Sequence, residues 1–258
     1  MRIARFVVDS DPVYGVVEGD SGSEVVTVIH GDPFFNGVEP TSVRHKLEDV
    51  RLLAPIIPRS KVIGVGRNFA EHARELGNEV PQHPLLFLKP NTAVVGPGDP
   101  VVLPEFSEEV SFEAELCVVI GRICKDVPED RVDDVIFGYT CGNDLTARDV
   151  QKTDLQWARA KGFDTSAPLG PWIETELDPE DLAIKGWLNG ELRQDGNTNQ
   201  MIRSVRELVS IVSQAFTLLP GDVIMTGTPA GVGLISEGDR YEIEIEGIGR
   251  LSNPVVRR

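Results

Sequence analysis

Only one stretch of this chain, beginning at Ser204, carries an apolar helical period long enough to build a major helix, and that scarcity constrains the fold more than any other feature. Ser204 and Glu207 stand at capping-box spacing, while Val205, Leu208, Val209, Val212 and Phe216 fall on one face, so this helix is expected to cover a sheet. Elsewhere strand signals dominate: KVIGVG from Lys61, FEAELCVVIG from Phe112, VIFGYTCG from Val135, AIKGWL from Ala183, DVIMTG from Asp222, then RYEIEIEG and RLSNPVV. Asn189-Gly190 follows AIKGWL as a two-residue hairpin turn. Short helices are expected after Asn68, with Asn68 as N-cap, Glu71 at the third helical position and Gly77 as terminator, around Pro128 to Val135, and at TARDVQ. Strands outnumber helices without alternating with them, which disfavours a doubly wound parallel sheet and predicts a strand-rich, mixed α+β fold.

RIARFVV, VYGVVEG and EVVTVI alternate apolar and polar positions around the turn GDSGS, and read as an antiparallel meander. Pro55 and Pro58 bracket a connector, so a small N-terminal β module over residues 1–57 is expected to precede a larger domain over residues 58–258. At 258 residues the chain can bury a substantial core without disulfides. Cys117, Cys124 and Cys141 are odd in number and lack CxxC spacing, and are read as reduced, mostly buried thiols rather than zinc ligands. With 25 basic against 41 acidic side chains the formal charge is −16, a field that repels nucleic acid and anionic membranes. The first apolar run stops at Asp9, too short for a signal-peptide core, and no segment has transmembrane length, so a cytoplasmic protein is expected.

Glu113 and Glu115 are two residues apart in a strand-like segment, which places both carboxylates on one face. A polar, exposed face would explain them, but Cys117 and Val119 continue that face in apolar character, so exposure is hard to sustain, and a bound cation would resolve the conflict. Asp144, where VIFGYTCG gives way to a turn, offers a third oxygen ligand. Three carboxylates without His or Cys favour a hard ion: Mg²⁺ or Mn²⁺, with Ca²⁺ also admissible.

The segments GVGRNFAEHARELG, LFLKP, SFEAELCVVIG, GNDLTARDVQ, WARAKGFDTSAPLGPW, LLPGDVIMTGTPAGVG and GIGRLSNPV, in this order, resemble the fumarylacetoacetate hydrolase superfamily from residue 61 onward. The resemblance implies a mixed β-roll or sandwich catalytic domain, a homodimer, a small 2-oxo acid as substrate, and Glu113, Glu115 and Asp144 as metal ligands. It implies that His72 and Glu75, at i and i+3 on a short helix, form a water-activating dyad, although such a pair is ordinarily a solvated surface contact. Phe69 departs from the tyrosine found in many relatives, and any hydrogen bond of that hydroxyl is absent here. Arg148, Gln151 and Thr228 match substrate-contacting positions, and Lys161 matches a lysine that neutralises developing oxyanion charge.

On this reading the ion stabilises an enolate, and hydrolysis of a carbon–carbon bond in an acylpyruvate-type substrate is the leading expectation. Isomerisation of a 2-hydroxyhepta-2,4-diene-1,7-dioate and decarboxylation of oxaloacetate are the alternatives. A dinucleotide enzyme is disfavoured because GxGxxG would need glycine at Phe69. A non-catalytic metal-binding protein is the remaining rival, and His72, Glu75 and Lys161 together argue against it.

Overall fold

The computed structural model describes residues 1–9, 11–75, 77 and 79–257. From the N-terminus, β1 (Arg2–Val7), β2 (Val13–Glu18), β3 (Val25–Ile29) and β4 (Pro40–Lys46) form the expected antiparallel meander, with helix α1 (Pro33–Asn36) between β3 and β4. Strand β5 (Arg51–Leu53) returns to pair with β1. Then follow β6 (Val62–Gly66), α2 (Ala70–Glu75), β7 (Leu85–Lys89), β8 (Val94–Val95), β9 (Val101–Leu103), β10 (Val110–Phe112), β11 (Ala114–Ile120), β12 (Ile136–Asn143) and β13 (Thr146–Ala147). The short helices α3 (Arg148–Thr153) and α4 (Ala158–Lys161) lead into β14 (Ala167–Glu174), β15 (Ala183–Leu188) and β16 (Glu191–Asn197). Helix α5 (Val205–Ala215) precedes β17 (Val223–Met225), β18 (Gly233–Leu234), β19 (Arg240–Ile245) and β20 (Gly249–Arg257).

A twelve-stranded sheet runs β4-β3-β2-β1-β14-β12-β11-β17-β6-β7, with β5 attached to β1 and β8 to β14. Most of its pairs are antiparallel, but β17 joins β6 in parallel, which makes the sheet mixed. A five-stranded sheet, β16-β15-β19-β20-β9, and a three-stranded one, β13-β10-β18, complete the α+β architecture. Because β1 pairs with β14, residues 1–57 share a sheet with the larger domain rather than standing apart.

Strand β11 is buried on both faces: Ala114, Leu116, Val118 and Ile120 enter the main apolar core, while Cys117 and Val119 enter a second cluster with Leu169, Ile173 and Met225. The two periods of a pleated strand thus fill two separate cores. All three cysteines are free and buried. Helix α5 begins with the reciprocal Ser204–Glu207 capping box and buries Val205, Leu208, Val209 and Val212. Asn189 and Gly190, at φ 54° and 84°, make the primed turn between β15 and β16.

Two local expectations differ. The segment near Pro128 is a 3-10 helix over Glu129–Asp134. Asn68 does not cap α2, because its amide is occupied elsewhere: Nδ2 donates to Arg203 O (3.0 Å) and Thr226 O (2.8 Å), and Oδ1 accepts from Arg203 N–H (2.9 Å). The first helical bond runs instead from Ala73 N–H to Phe69 O, and Gly77 takes the expected left-handed φ of 69°. Among the described residues no helix is long and apolar enough to cross a membrane.

Candidate metal centre and active site

Glu113 occupies the break between β10 and β11 and so lies outside a regular strand. Its N–H donates to Asn143 Oδ1 (2.9 Å), and its carbonyl accepts Asp144 N–H (3.0 Å), cross-tying the two ligand-bearing segments. Ala114 pairs with Asn143 and Glu115 with Gly142, so the start of β11 meets the end of β12. Gly142 is required there: a β-carbon would meet Cys117 Sγ at 2.3 Å. The consequence is that Glu113, Glu115 and Asp144, all buried, each bring a carboxylate oxygen within 4.8 Å of the others.

Three cations surround this cluster. Lys161, at the end of α4, places Nζ 2.9 Å from Glu113 Oε2 and 2.6 Å from Asp144 Oδ2. Arg148, opening α3, donates to Glu113 Oε1 and, at 3.0 Å, to Gln151 Oε1. Lys89, closing β7 and fully buried, places Nζ 2.8 Å from Asp144 Oδ1 and donates to Leu145 O (3.3 Å), Ser166 O (2.9 Å) and Lys161 O. The Lys89–Asp144 contact is an ion pair without hydrogen-bond alignment, and buried Asp144 Oδ1 has no hydrogen bond among the described residues.

The charges perturb one another strongly. Burial opposes ionisation of Glu113, but the Lys161 and Arg148 charges overcome it and hold this carboxyl well below the usual range. Glu115 is pushed far up by burial and by the adjacent Asp144 and Glu113 charges, against Lys161 and the Gly227 N–H (2.8 Å), which favour its ionised form. Burial also opposes the charge on Lys161, yet Asp144 and Glu113 raise its pKa. A buried carboxylate oxygen that accepts no hydrogen bond among the described residues and a glutamate that resists ionisation suit a further positive charge at the cluster. The all-oxygen donor set of Glu113, Glu115 and Asp144 suits a hard divalent cation.

His72 and Glu75 sit on α2 over this cluster. His72 Nδ1 is 3.5 Å from Glu75 Oε2, and Nε2 is 3.9 Å from Glu113 Oε1. Burial lowers the His72 pKa despite the opposing Glu113 charge. Glu75 also accepts Gly231 N–H at 3.1 and 3.2 Å, fastening α2 to the TGTPAGVG loop. Phe69 is buried and its backbone bridges to Met201, so this position packs without needing a hydroxyl. A cavity of about 340 Å³ joins His72, Glu113, Glu115, Arg148, Gln151, Lys161 and Thr228 with Val65, Arg67 and Trp157. Every carried-over site residue except Glu75 and Asp144 lines it directly, and those two support residues that do.

Thr228 has a committed hydroxyl: Oγ1 donates to Ala114 O (2.8 Å) and accepts from Gln194 Nε2 (2.8 Å). Its one hydroxyl proton therefore serves the strand between the two glutamates. Gln194, which sequence reasoning passed over, completes this clamp through Oε1, which accepts Ala114 N–H (2.9 Å) and the Tyr241 hydroxyl (2.6 Å). Lys89 was also missed as a site residue; a lone lysine ending the apolar run LFLKP was its only signal.

Comparison with known proteins supplies the context. Residues 61–256 match the family described as Fumarylacetoacetate (FAA) hydrolase C-terminal, and residues 1–55 match Rv2993c-like, N-terminal. Protein Rv2993c of Mycobacterium tuberculosis is 48% identical over 268 residues, covering 100% of this chain and 99% of that protein. The mitochondrial oxaloacetate tautomerase fahd2 of Xenopus laevis is 43% identical over 220 residues, covering 81% of this chain and 69% of that protein. The crystal structure of 2-hydroxyhepta-2,4-diene-1,7-dioate isomerase from Mycobacterium marinum superposes with a TM-score of 0.93 at 48% identity, covering 100% and 99% of the two chains. Maleylpyruvate hydrolase from Sphingobium sp. SYK-6, in complex with manganese(II) and pyruvate, superposes with a TM-score of 0.81 at 33% identity over 100% and 99%.

Proposed function

This chain belongs to the fumarylacetoacetate hydrolase family, and from that premise we propose that it is a divalent-cation-dependent enzyme moving a proton beside the carbonyl of a small 2-oxo acid. The observation that carries this reading is a buried base, His72, held by Glu75 beside a three-carboxylate cluster. Relatives named as a tautomerase and an isomerase support proton transfer as the net reaction.

Glu113, Glu115 and Asp144 would hold the ion. A divalent cation there would supply Lewis acidity, withdrawing electron density from the 2-oxo group so that the neighbouring C–H becomes acidic. The Glu75 carboxylate oxygen accepts from the ring, which selects the imidazole tautomer with the proton on Nδ1. That leaves the Nε2 lone pair facing the cluster, and burial keeps the ring neutral and able to take the proton. Lys161 and Arg148 balance the negative charge gathered around Glu113. Returning the proton to oxygen yields the enol, and returning it further along a conjugated chain shifts the double bond.

Hydrolysis is the second reading, favoured by the maleylpyruvate hydrolase superposition. There His72 would take its proton from water instead of carbon. The test uses metal-stripped protein with oxaloacetate, acetylpyruvate and a hydroxyheptadienedioate, with and without Mg²⁺ or Mn²⁺, and Glu115→Ala as control. Enol absorbance and pyruvate release are followed together. Metal-dependent loss of enol without pyruvate supports proton transfer, metal-dependent pyruvate release supports the cleavage branches, and no turnover despite Mn²⁺ binding rejects the enzyme assignment.

A further inference from the structure

The active-site cavity is bordered by four basic side chains: Arg67, Arg148, Lys152 and Lys161. Three have carboxylate partners, Arg148 and Lys161 on Glu113 and Lys152 on Glu109 at 2.9 Å. Arg67 makes no ion pair and no side-chain hydrogen bond among the described residues. In a chain with formal charge −16, where acidic partners are abundant, a cation left unpaired at a pocket wall is available to a ligand.

The backbone adds a second argument. Arg67 has φ 59°, the left-handed region that glycine occupies freely and a side-chain-bearing residue occupies at a cost. The cost is held in place from both sides, by Gly66 paired with Leu85 in the sheet and by the Asn68 amide fastened to Arg203 and Thr226. Glycine would satisfy the turn without strain, so what arginine adds is its guanidinium, carried on fixed backbone beside the cavity. A guanidinium presents donors in a planar fork that matches a carboxylate.

Resting on the 2-oxo acid reading above, we propose that Arg67 is the specificity-determining residue for a second carboxylate, so that the preferred substrates are dicarboxylic 2-oxo acids. The first carboxylate and the 2-oxo group are directed to the Glu113, Glu115 and Asp144 cluster, and the distal carboxylate pairs with Arg67. Binding the distal charge gives a partner to a cation that has none among the described residues.

The experiment compares oxaloacetate with 2-oxobutanoate, which has the same number of carbons and no distal carboxylate. Dissociation constants are measured by calorimetry, and KM and kcat by exchange of the C3 hydrogen for deuterium, on Mn²⁺-loaded wild type, Arg67→Gly and Arg67→Lys. Arg67→Gly removes the fork and relieves the backbone, so loss of folding is not expected, and the melting temperature checks this. The expected result is a rise in Kd and KM for oxaloacetate on the order of 10- to 100-fold in Arg67→Gly, with 2-oxobutanoate unchanged and part of the loss recovered in Arg67→Lys. Equal losses for both acids, or unchanged discrimination between them, would overturn the assignment to Arg67. Failure of wild type to bind either acid would instead overturn the 2-oxo acid reading on which it rests.

Discussion

Replacing Lys89 by Met tests how the carboxylate cluster is held. The side chain is fully buried, and its ammonium serves Asp144 Oδ1 together with the carbonyls of Leu145, Lys161 and Ser166. Burial pushes the Lys89 pKa down and Asp144 opposes that shift, so the pair exists only because the two charges are mutually compensating. Methionine matches the length of the lysine stem and leaves little cavity, and the loss is therefore electrostatic. Removing one partner of a buried pair costs about 3–5 kcal/mol; here Asp144 would keep Lys161 as a counter-charge but lose the ammonium on Oδ1, and the carbonyls of Leu145, Lys161 and Ser166 would lose their donor. At about 2–4 °C per kcal/mol for a chain of this size, the melting temperature should fall by roughly 6–20 °C. Metal-free wild type, Lys89→Met, Asp144→Asn and the double variant are compared by thermal and urea unfolding. The double variant should be less destabilised than the sum of the single changes, since each single change leaves a buried charge with one partner fewer and the double change removes both charges. A Lys89→Met loss below about 1 kcal/mol, the scale of an exposed pair, together with strict additivity, would refute the reasoning.

Two further outcomes are expected. Asn68→Ala deletes three hydrogen bonds made by one buried amide, and at about 1 kcal/mol each should destabilise the fold by ~3 kcal/mol in urea titration, with a neutral result arguing against the tie to Arg203 and Thr226. Tyr14 is pushed up to about 12, by burial first and then by Asp32. The folded state thus favours the neutral phenol, a contribution fully present below pH 10 and lost as pH rises from about 10 to about 12, so Tyr14→Phe should flatten that part of the alkaline unfolding curve. An unchanged slope would remove Tyr14 from the account.

Features written in adjacent residues were legible before any coordinates. The Ser204–Glu207 capping box and the Asn189-Gly190 turn involve groups a few positions apart, so local chemistry decides them. The glutamate pair was legible because the face it begins continues as Cys117 and Val119, which the fold buries in an apolar cluster. Asn68 misled for the opposite reason: its type suits an N-cap, but its partners lie more than a hundred residues away, at Arg203 and Thr226. Gln194 and Lys89 carry no local signature, since a glutamine in a strand and a lysine ending one are ordinary until the fold encloses them. The family resemblance bridged part of that gap by nominating His72 and Lys161, whose convergence on Glu113 no spacing rule could provide.

The position of β17 has a consequence for how the chain is made. This three-residue strand separates β11 from β6, and both of its neighbours precede it by about a hundred residues or more in the sequence. A nascent polypeptide released by the ribosome only as far as α5 therefore holds two half-sheets, each with a bare edge, and β6–β7 has no seat in the larger one. Only when Val223–Met225 emerges can the halves lock, and Gly227 and Thr228 follow just after Thr226 to close on Glu115 and on its neighbour Ala114. Synthesis thus leaves the carboxylate cluster unfinished until Gly227 and Thr228 have been delivered, an interval in which the bare sheet edges are open to mispairing.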